Sequence, residues 1–278
     1  MKATILVDST RAGNLKAEWG LSILVEYNRK KILIDTGASS NFLKNAEMCG
    51  ISIKDVDAGI LSHAHYDHAN GLETFFRENS TAKFYLLKTC RENCYSSRRF
   101  HNRYIGIKKG ILEKYRDRFE FIDSTFTLMD GVTLIPHELD NMPPQTEKLR
   151  KLGHVKGTLL VKNGKNWQLD NFDHEQTVVF ETEKGLIVFT SCAHNGVVNT
   201  IEDVKRVFPN KKIYTLAGGF HLHRKSENDV TQTALYLAQT GIRQIYTGHC
   251  TGERAFEIMK KYLGAKLYHL HTGLIMQF

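Results

Sequence analysis

Three histidines and one aspartate are crowded into a single short stretch, LSHAHYDHANG, which spans residues 61–71. They are His63, His65, Asp67 and His68. Imidazole nitrogens and carboxylate oxygens are suitable ligands for zinc, and also for iron or manganese. A solvated, histidine-rich loop is the alternative interpretation, but four residues of ligand type within six positions favour a metal site.

The residues before this stretch predict how the ligands are positioned. The apolar run AGILS at 58–62 predicts a strand that ends where the histidines begin. Side chains two positions apart lie on the same side of extended backbone, so His63 and His65 are expected to point the same way. Asp67 and His68 follow as the chain turns toward a predicted helix.

Four other predicted strands also end in a ligand-type residue beside glycine or small residues. The segments are KILIDTGAS with Asp35, VFTSCAHNG with His194, TLAGGFHLH with His221, and IYTGHCTGE with His249. Functional sites of layered α/β folds assemble at the carboxyl ends of strands. These four residues are therefore expected to meet the first group at one edge of the fold.

Short apolar runs between turn signals predict two series of elements. In the first half, strands are predicted at 3–7, 21–27, 31–35 and 58–62, with helices at 39–50 and 71–79. In the second half, a hairpin is predicted at 177–191, strands at 212–219 and 244–249, and helices at 197–208, 228–241 and 252–264. The pattern indicates an α/β fold with mixed sheets. Residues 80–157 fit neither series, so we expect one domain over residues 1–278 with an insertion at about 80–157 that covers the active-site edge.

The chain is basic, with a formal net charge of +8 and a sequence pI of about 9.1. The charge is concentrated in RENCYSSRRFHNRYIGIKKG, residues 91–110, where Arg98, Arg99 and Arg103 are candidates for binding an anionic substrate. A solvated surface is the plain alternative. Nucleic-acid binding is disfavoured because the chain has no RNA-recognition aromatic motif, no zinc-finger spacing and no long basic tail.

Cysteine usage and hydropathy indicate the cellular compartment of the protein. The five cysteines, Cys49, Cys90, Cys94, Cys192 and Cys250, are odd in number and scattered, which argues against a disulfide framework. No apolar run reaches the roughly 18 residues of a membrane span, so a cytoplasmic protein is expected. Cys192 and Cys250 stand beside candidate ligands, and we predict that they pack as small hydrophobic residues.

The motifs together resemble the metallo-β-lactamase superfamily. Its H-x-H-x-D-H signature stands here as His63-Ala-His65-Tyr-Asp67-His68, and the other motifs follow in order up to His249. The resemblance implies a four-layer αββα sandwich that binds one or two divalent metals, zinc first, with manganese or iron as alternatives. It implies a first metal site at His63, His65 and His194 and a second at Asp67, His68 and His249. Asp35 would orient these ligands.

One position departs from the superfamily pattern. Its fourth motif usually supplies an aspartate that bridges two metals, whereas this chain has His221 in GGFHLH, which we predict to lie near the metals. The departure points to a subgroup resembling the dihydropterin-ribofuranosylaminobenzene-phosphate synthases, which share GGFHL, GHCTG and the stretch Glu18-Trp-Gly20-Leu-Ser22.

The resemblance implies a metal-dependent hydrolase in which activated water attacks an ester or phosphate ester of a small anionic molecule. Asp67 would then orient the activated water and transfer its proton. The alternative is a transferase that joins a pterin pyrophosphate to an aminobenzene ribosyl phosphate. A second alternative is a metal-binding sensor or nucleic-acid-binding protein, which turnover of a phosphodiester would exclude.

Overall fold

A computed structural model describes residues 1–137 and 157–278 of the 278-residue chain. Two large sheets dominate it. The strands of the first sheet are, in spatial order, Ile275–Gln277, Lys2–Val7, Ser22–Tyr27, Lys30–Ile34, Ala58–Ile60, Phe84–Leu87 and Phe119–Ile122. The strands of the second sheet are Leu267–His269, Gln244–Thr247, Ile213–Gly218, Gly185–Ser191, Gln176–Thr182, Val132–Pro136 and Phe126–Met129.

The two sheets pack face to face. Tyr27 of the first sheet stacks edge-on against Phe180 of the second, with ring centroids 5.5 Å apart, and its hydroxyl donates to the carbonyl of Glu181. Tyr85 of the first sheet and Phe126 of the second form a further ring contact, here stacked, with centroids 5.7 Å apart. Apolar side chains from both sheets therefore share one core between them.

Helices cover the outer faces. The α-helices are Asn41–Met48, Tyr66–Ala69, Leu72–Glu78, Ile111–Lys114, Val197–Val207, Glu227–Gln239 and Glu253–Leu263. Alternation along the strands divides the second sheet between two cores, since Val178 and Phe180 face the first sheet while Val179 packs with the last three helices. Phe75 of helix Leu72–Glu78 packs on Phe84 of the first sheet, with ring centroids 4.9 Å apart. The layers are thus helix, sheet, sheet and helix, the αββα sandwich that the resemblance implies.

Four strands within the segment predicted as an insertion, residues 80–157, belong to the two main sheets. Phe84–Leu87 and Phe119–Ile122 extend the first sheet, and Phe126–Met129 and Val132–Pro136 extend the second. We assigned these runs to an insertion because the basic stretch between them hides their apolar alternation. Residues 138–156, which include the paired prolines, lie outside the described residues, and the single-domain organisation stays a prediction.

A third, smaller sheet, here called the cap sheet, is formed by strands that do not join the two main sheets. Its strands are Asn166–Leu169, Leu159–Asn163, Cys94–Ser97 and Asn102–Tyr104. The chain leaving it pairs directly with the histidine-rich stretch, because Tyr66 donates its N–H to Ile105 and Ile107 donates to Ala64. The cap sheet is therefore fixed to the segment that carries the candidate ligands. Within the described residues, no helix combines the length and the apolar character needed to cross a bilayer.

Asn79 ends the helix that follows the histidine-rich stretch, and it gives a test of this packing. Its buried amide donates to the carbonyls of Ile53, Lys54 and Val56 at 2.9–3.2 Å and accepts from the N–H groups of Thr81 and Ala82. We predict that Asn79→Asp lowers the free energy of unfolding by about 2–3 kcal/mol or more, because a carboxylate would face three carbonyl oxygens.

Urea denaturation measures this change, with the exposed Asn210→Asp as the matched control. Equal stability of Asn79→Asp and Asn210→Asp would show that the Asn79 contacts do not hold this corner of the fold.

Candidate metal centre

The ligand-type residues meet where parallel strands of both sheets end. Lys30–Ile34 runs parallel to Ala58–Ile60 in the first sheet, and Gly185–Ser191, Ile213–Gly218 and Gln244–Thr247 run parallel in the second. Because parallel strands share the edge at which they end, Asp35 and the histidines reach one place. A pocket opens there, and its lining includes His65, Asp67, Cys192, His194, His221 and Cys250.

Two groups of candidate ligands form at the base of this pocket. His63, His65 and His194 offer ligand atoms that all lie within 4.8 Å of one another, and so do Asp67, His68 and His249. At this spacing the three ligand atoms of each group are close enough to bind the same cation. These are the two triplets that the resemblance implies, and their role as ligands stays a prediction.

Asp35 lies behind both triplets as a fully buried carboxylate that accepts four hydrogen bonds. Its donors are the N–H of Ser62 at 2.7 Å, the hydroxyl of Ser62 at 2.7 Å, the hydroxyl of Ser191, and Nδ1 of His68 at 2.7 Å. Ser191 ends a strand of the second sheet, so this single carboxylate also connects the two sheets.

These bonds determine which nitrogen of each ring is free. His68 contacts Asp35 through Nδ1, so Nδ1 carries the hydrogen and Nε2 keeps its lone pair. The Ser62 hydroxyl already donates to Asp35, so it accepts from Nδ1 of His63 at 2.8 Å. Nε2 of His63 is therefore also a lone-pair donor. A carboxylate that fixes a histidine in this way is typical support for a metal ligand.

The buried nitrogens of the pocket fit a cation. Nε2 of His63, both ring nitrogens of His194 and Nε2 of His249 are buried without a hydrogen-bond partner among the described residues. Buried polar atoms are almost always paired, so several unpaired imidazole nitrogens in one place need an explanation. A divalent cation bound by these nitrogens and by Asp67 would satisfy them.

Electrostatics keep these rings in the form that can ligate. Burial, followed by the neighbouring imidazole rings, holds the pKa of His63, His194 and His249 well below the usual value. Burial, followed by His223, lowers the pKa of His221 to about 3. All four rings are therefore neutral at physiological pH, as metal ligation requires.

The backbone is strained in the turns that carry candidate ligands and their neighbours. Asp35, Ser191, Ala193, His221 and His249 all have positive φ, between 46° and 58°. For residues other than glycine this conformation costs of order 1–3 kcal/mol each, and it persists where the surroundings enforce it. The concentration of five such residues in four turns around one pocket is the pattern of a functional site.

His221 lies beside the first triplet. Its ring centroid is 4.3 Å from that of His194 and 5.2 Å from that of His223, and its Nδ1 is buried without a partner among the described residues. His223 is half-buried and its Nδ1 contacts the carbonyl of Cys250 at 3.1 Å. His221, the residue that departs from the superfamily pattern, therefore lies in the pocket itself.

The sequence did not reveal the groups that hold the histidines in place. Nε2 of His65 is 3.6 Å from the buried carboxylate of Asp170, and Nε2 of His174 is 3.2 Å from the same carboxylate. Burial opposes a charge on His65, but Asp170 and Cys94 raise its pKa to about 9, so a cation bound at the first triplet would have to displace a proton from this ring.

Glu175 plays a similar part for the His194 turn. Its carboxylate, fully buried, accepts from the N–H groups of His194 and Asn195 at 2.8 and 3.1 Å. The only sequence signal was the cluster of acidic residues and a histidine in LDNFDHEQ, residues 169–176.

The three candidate arginines separate into two groups. Arg98 and Arg103 line the pocket, whereas Arg99 does not and instead lies over the ring of Phe100, which is 86% exposed. The pocket lining also includes Arg224, which the sequence analysis did not single out. Trp19 adds an aromatic surface beside His249, with ring centroids 4.9 Å apart. Substrate binding by the arginines stays a prediction.

The role of Asp35 can be tested by an isosteric change. We predict that Asp35→Asn weakens metal binding by about 10–100-fold, because the amide offers only one acceptor atom to four donors and no longer fixes His68. Calorimetric titration with zinc measures the affinity, and Asp57→Asn, on the surface next to the first sheet, is the control. Unchanged affinity in a folded Asp35→Asn protein would rule out this role.

Comparison with known proteins agrees with this fold. The model of the metallo-beta-lactamase superfamily matches residues 20–150. Two proteins of Methanocaldococcus jannaschii are each 28% identical to the chain. One is 7,8-dihydropterin-6-methyl-4-(beta-D-ribofuranosyl)-aminobenzene-5'-phosphate synthase, with 94% of this chain and 90% of that protein covered. The other is the uncharacterized protein MJ0448, with 90% and 91% covered.

A solved structure is similar over the whole chain. Tm1679, described as a metal-dependent hydrolase of the beta-lactamase superfamily, superposes with a TM-score of 0.84 at 29% identity, covering 100% of this chain and 99% of that one. The signature, the matched model and the fold agree: this chain has the sequence motifs and the fold of the metallo-β-lactamase superfamily.

Proposed function

We propose that the protein is a metal-dependent hydrolase whose substrate is a small, anionic phosphate ester. The observation that carries the proposal is one pocket with unpaired histidine nitrogens at its base and arginines on its wall. The fold and the relatives support metal-dependent chemistry in general, and the arginines supply the preference for an anion. Zinc is the proposed metal, because its usual ligands are the imidazole and carboxylate groups found here.

The chemistry divides between the cation and the chain. A zinc ion bound there would lower the pKa of bound water to about 7 and polarise a phosphoryl oxygen. His63, His65 and His194 would hold it on one side, and Asp67, His68 and His249 on the other. The carboxylate of Asp67 faces the pocket, with one oxygen 3.6 Å from Nε2 of His249. It is the group of the chain placed to accept a proton from the attacking nucleophile.

The wall of the pocket would bind the substrate. Arg98 and Arg103 from the cap sheet region and Arg224 from the turn after His223 can each offer paired N–H donors to phosphate oxygens. Trp19, which is 45% exposed, can pack against an apolar or heterocyclic part of the substrate. Tyr95 and Tyr104 contact each other on the cap sheet, with ring centroids 5.1 Å apart.

A transferase is the second candidate, supported by the M. jannaschii synthase at 28% identity over 94% of this chain. In that reaction the same cations would assist departure of a diphosphate from a pterin pyrophosphate. A ribosyl aminobenzene phosphate, not water, would be the acceptor. The two candidates share the metal site and the arginines and differ in the acceptor.

We predict that the zinc-loaded protein hydrolyses bis(p-nitrophenyl) phosphate, and that Arg98→Ala and Arg103→Ala raise KM by about tenfold, as expected for loss of a charge-assisted contact worth about 1.4 kcal/mol. Arg99→Ala is the matched control, since Arg99 comes from the same segment but lies outside the pocket. Release of p-nitrophenol measures the rate.

Two results would contradict these predictions. Absence of turnover in the zinc-loaded protein would contradict the hydrolase and favour the transferase. Equal KM values for the three arginine variants would show that the cap sheet side of the pocket does not bind the anion.

A further inference from the structure

Two cysteine side chains meet at the edge that holds the candidate metal ligands. Cys192 follows the strand Gly185–Ser191, and Cys250 lies in the turn after Gln244–Thr247. Both are nearly fully buried, at 2% and 1% exposure, yet both contribute to the pocket lining. Their sulfur atoms and a ring nitrogen of His249 all lie within 4.8 Å of one another. Our expectation that they only pack as small hydrophobic residues does not account for this position.

Cys192 is surrounded by nitrogens that have lone pairs to offer. Its sulfur is 3.2 Å from Nε2 of His68, the nitrogen left free by the bond of Nδ1 to Asp35. The same sulfur forms a candidate ligand group with His63 and His68. Nitrogen and sulfur ligands of one tetrahedral zinc ion, at bond lengths of about 2.0 and 2.3 Å, lie roughly 3.5 Å apart. The spacing of Cys192 and His68 is close to that value.

The charge of the site gives a reason for a thiolate. Where the superfamily pattern has a bridging aspartate, this chain has His221, and an imidazole ring carries no negative charge whether or not it is protonated. Asp67 is then the one anionic side chain in the two triplets. A thiol that coordinates a divalent cation loses its proton and supplies a second negative charge.

The two thiols have different partners. The N–H of His221 donates to Sγ of Cys250 at 3.3 Å, and the thiol of Cys250 donates to the carbonyl of Cys192 at 3.6 Å. Cys250 is thus held by backbone groups, whereas Sγ of Cys192 contacts the ring of His68. Of the pair, Cys192 is therefore the thiol placed beside a candidate ligand nitrogen.

We propose that Cys192 is a ligand of the second metal, together with Asp67, His68 and His249, and that it supplies the charge which the bridging aspartate supplies elsewhere in the superfamily. Cys250 packs beside it and is not the ligand. The inference rests on the proposed metal centre. It also gives the site a preference for zinc over manganese, because thiolate is a soft ligand.

Cobalt(II) substitution tests the proposal, since thiolate ligation gives cobalt an intense near-ultraviolet charge-transfer absorption that histidine and carboxylate ligation do not. We expect this absorption in the wild-type protein loaded with two equivalents of cobalt. We expect its loss in Cys192→Ser and its retention in Cys250→Ser. Cys90→Ser, which changes another buried cysteine outside these ligand groups, is the matched control. Zinc affinity at the second site should fall about tenfold or more in Cys192→Ser.

Each contrary result has a distinct meaning. Bound cobalt without the charge-transfer absorption in the wild-type protein would overturn the ligand assignment and leave the metal centre standing. Loss of the absorption in Cys250→Ser alone would also overturn it. Failure of the wild-type protein to bind cobalt would overturn the proposed function together with this inference. The wild-type and Cys250→Ser measurements decide the question even if Cys192→Ser does not fold.

Discussion

The site depends on one buried carboxylate, that of Asp35. It accepts hydrogen bonds from Ser62 in the first half of the chain, from Ser191 in the second half, and from the ring of His68. Leaving any of these donors unpaired in the interior would cost about 1–3 kcal/mol, so the three segments are held together where both sheets end. The same bonds leave Nε2 of His63 and His68 as lone-pair donors. The contact that joins the sheets therefore also leaves these candidate ligand nitrogens free to bind a cation.

Several features of the structure around Asp35 are unfavourable for local stability. Several histidine nitrogens are buried without a partner, and five residues other than glycine adopt positive φ at the turns around the pocket. Each feature is unfavourable alone, and the closely packed strands beneath the pocket tolerate them. The surrounding core of the two sheets, by contrast, is apolar and follows ordinary strand alternation. A bound cation would offset the cost of the unpaired nitrogens, which links the stability of this edge to metal binding.

The convergence of the candidate ligands was predictable from the sequence because they stand in short motifs directly after strands, while their role as ligands stays a prediction. His63, His65, Asp67 and His68 lie within six residues, and His194, His221 and His249 each follow an apolar run. The supports of these residues were not predictable in the same way. Asp170 reaches His65 and Glu175 reaches the His194 turn only through the fold, and the thiol pair joins Cys192 to Cys250 across 58 residues. The strand Phe119–Ile122 was missed because it is short and follows a charged segment.

The central claim is that the histidine-rich stretch binds metal, and the metal content of the purified protein tests it most directly. Elemental analysis should find one to two equivalents of zinc in the wild-type protein and a large loss in His63→Ala/His65→Ala. The control is His269→Ala/His271→Ala, which removes two histidines at the same spacing outside the ligand groups. Cooperative thermal unfolding would establish that each variant is folded. Full metal retention in a folded His63→Ala/His65→Ala protein would contradict this account.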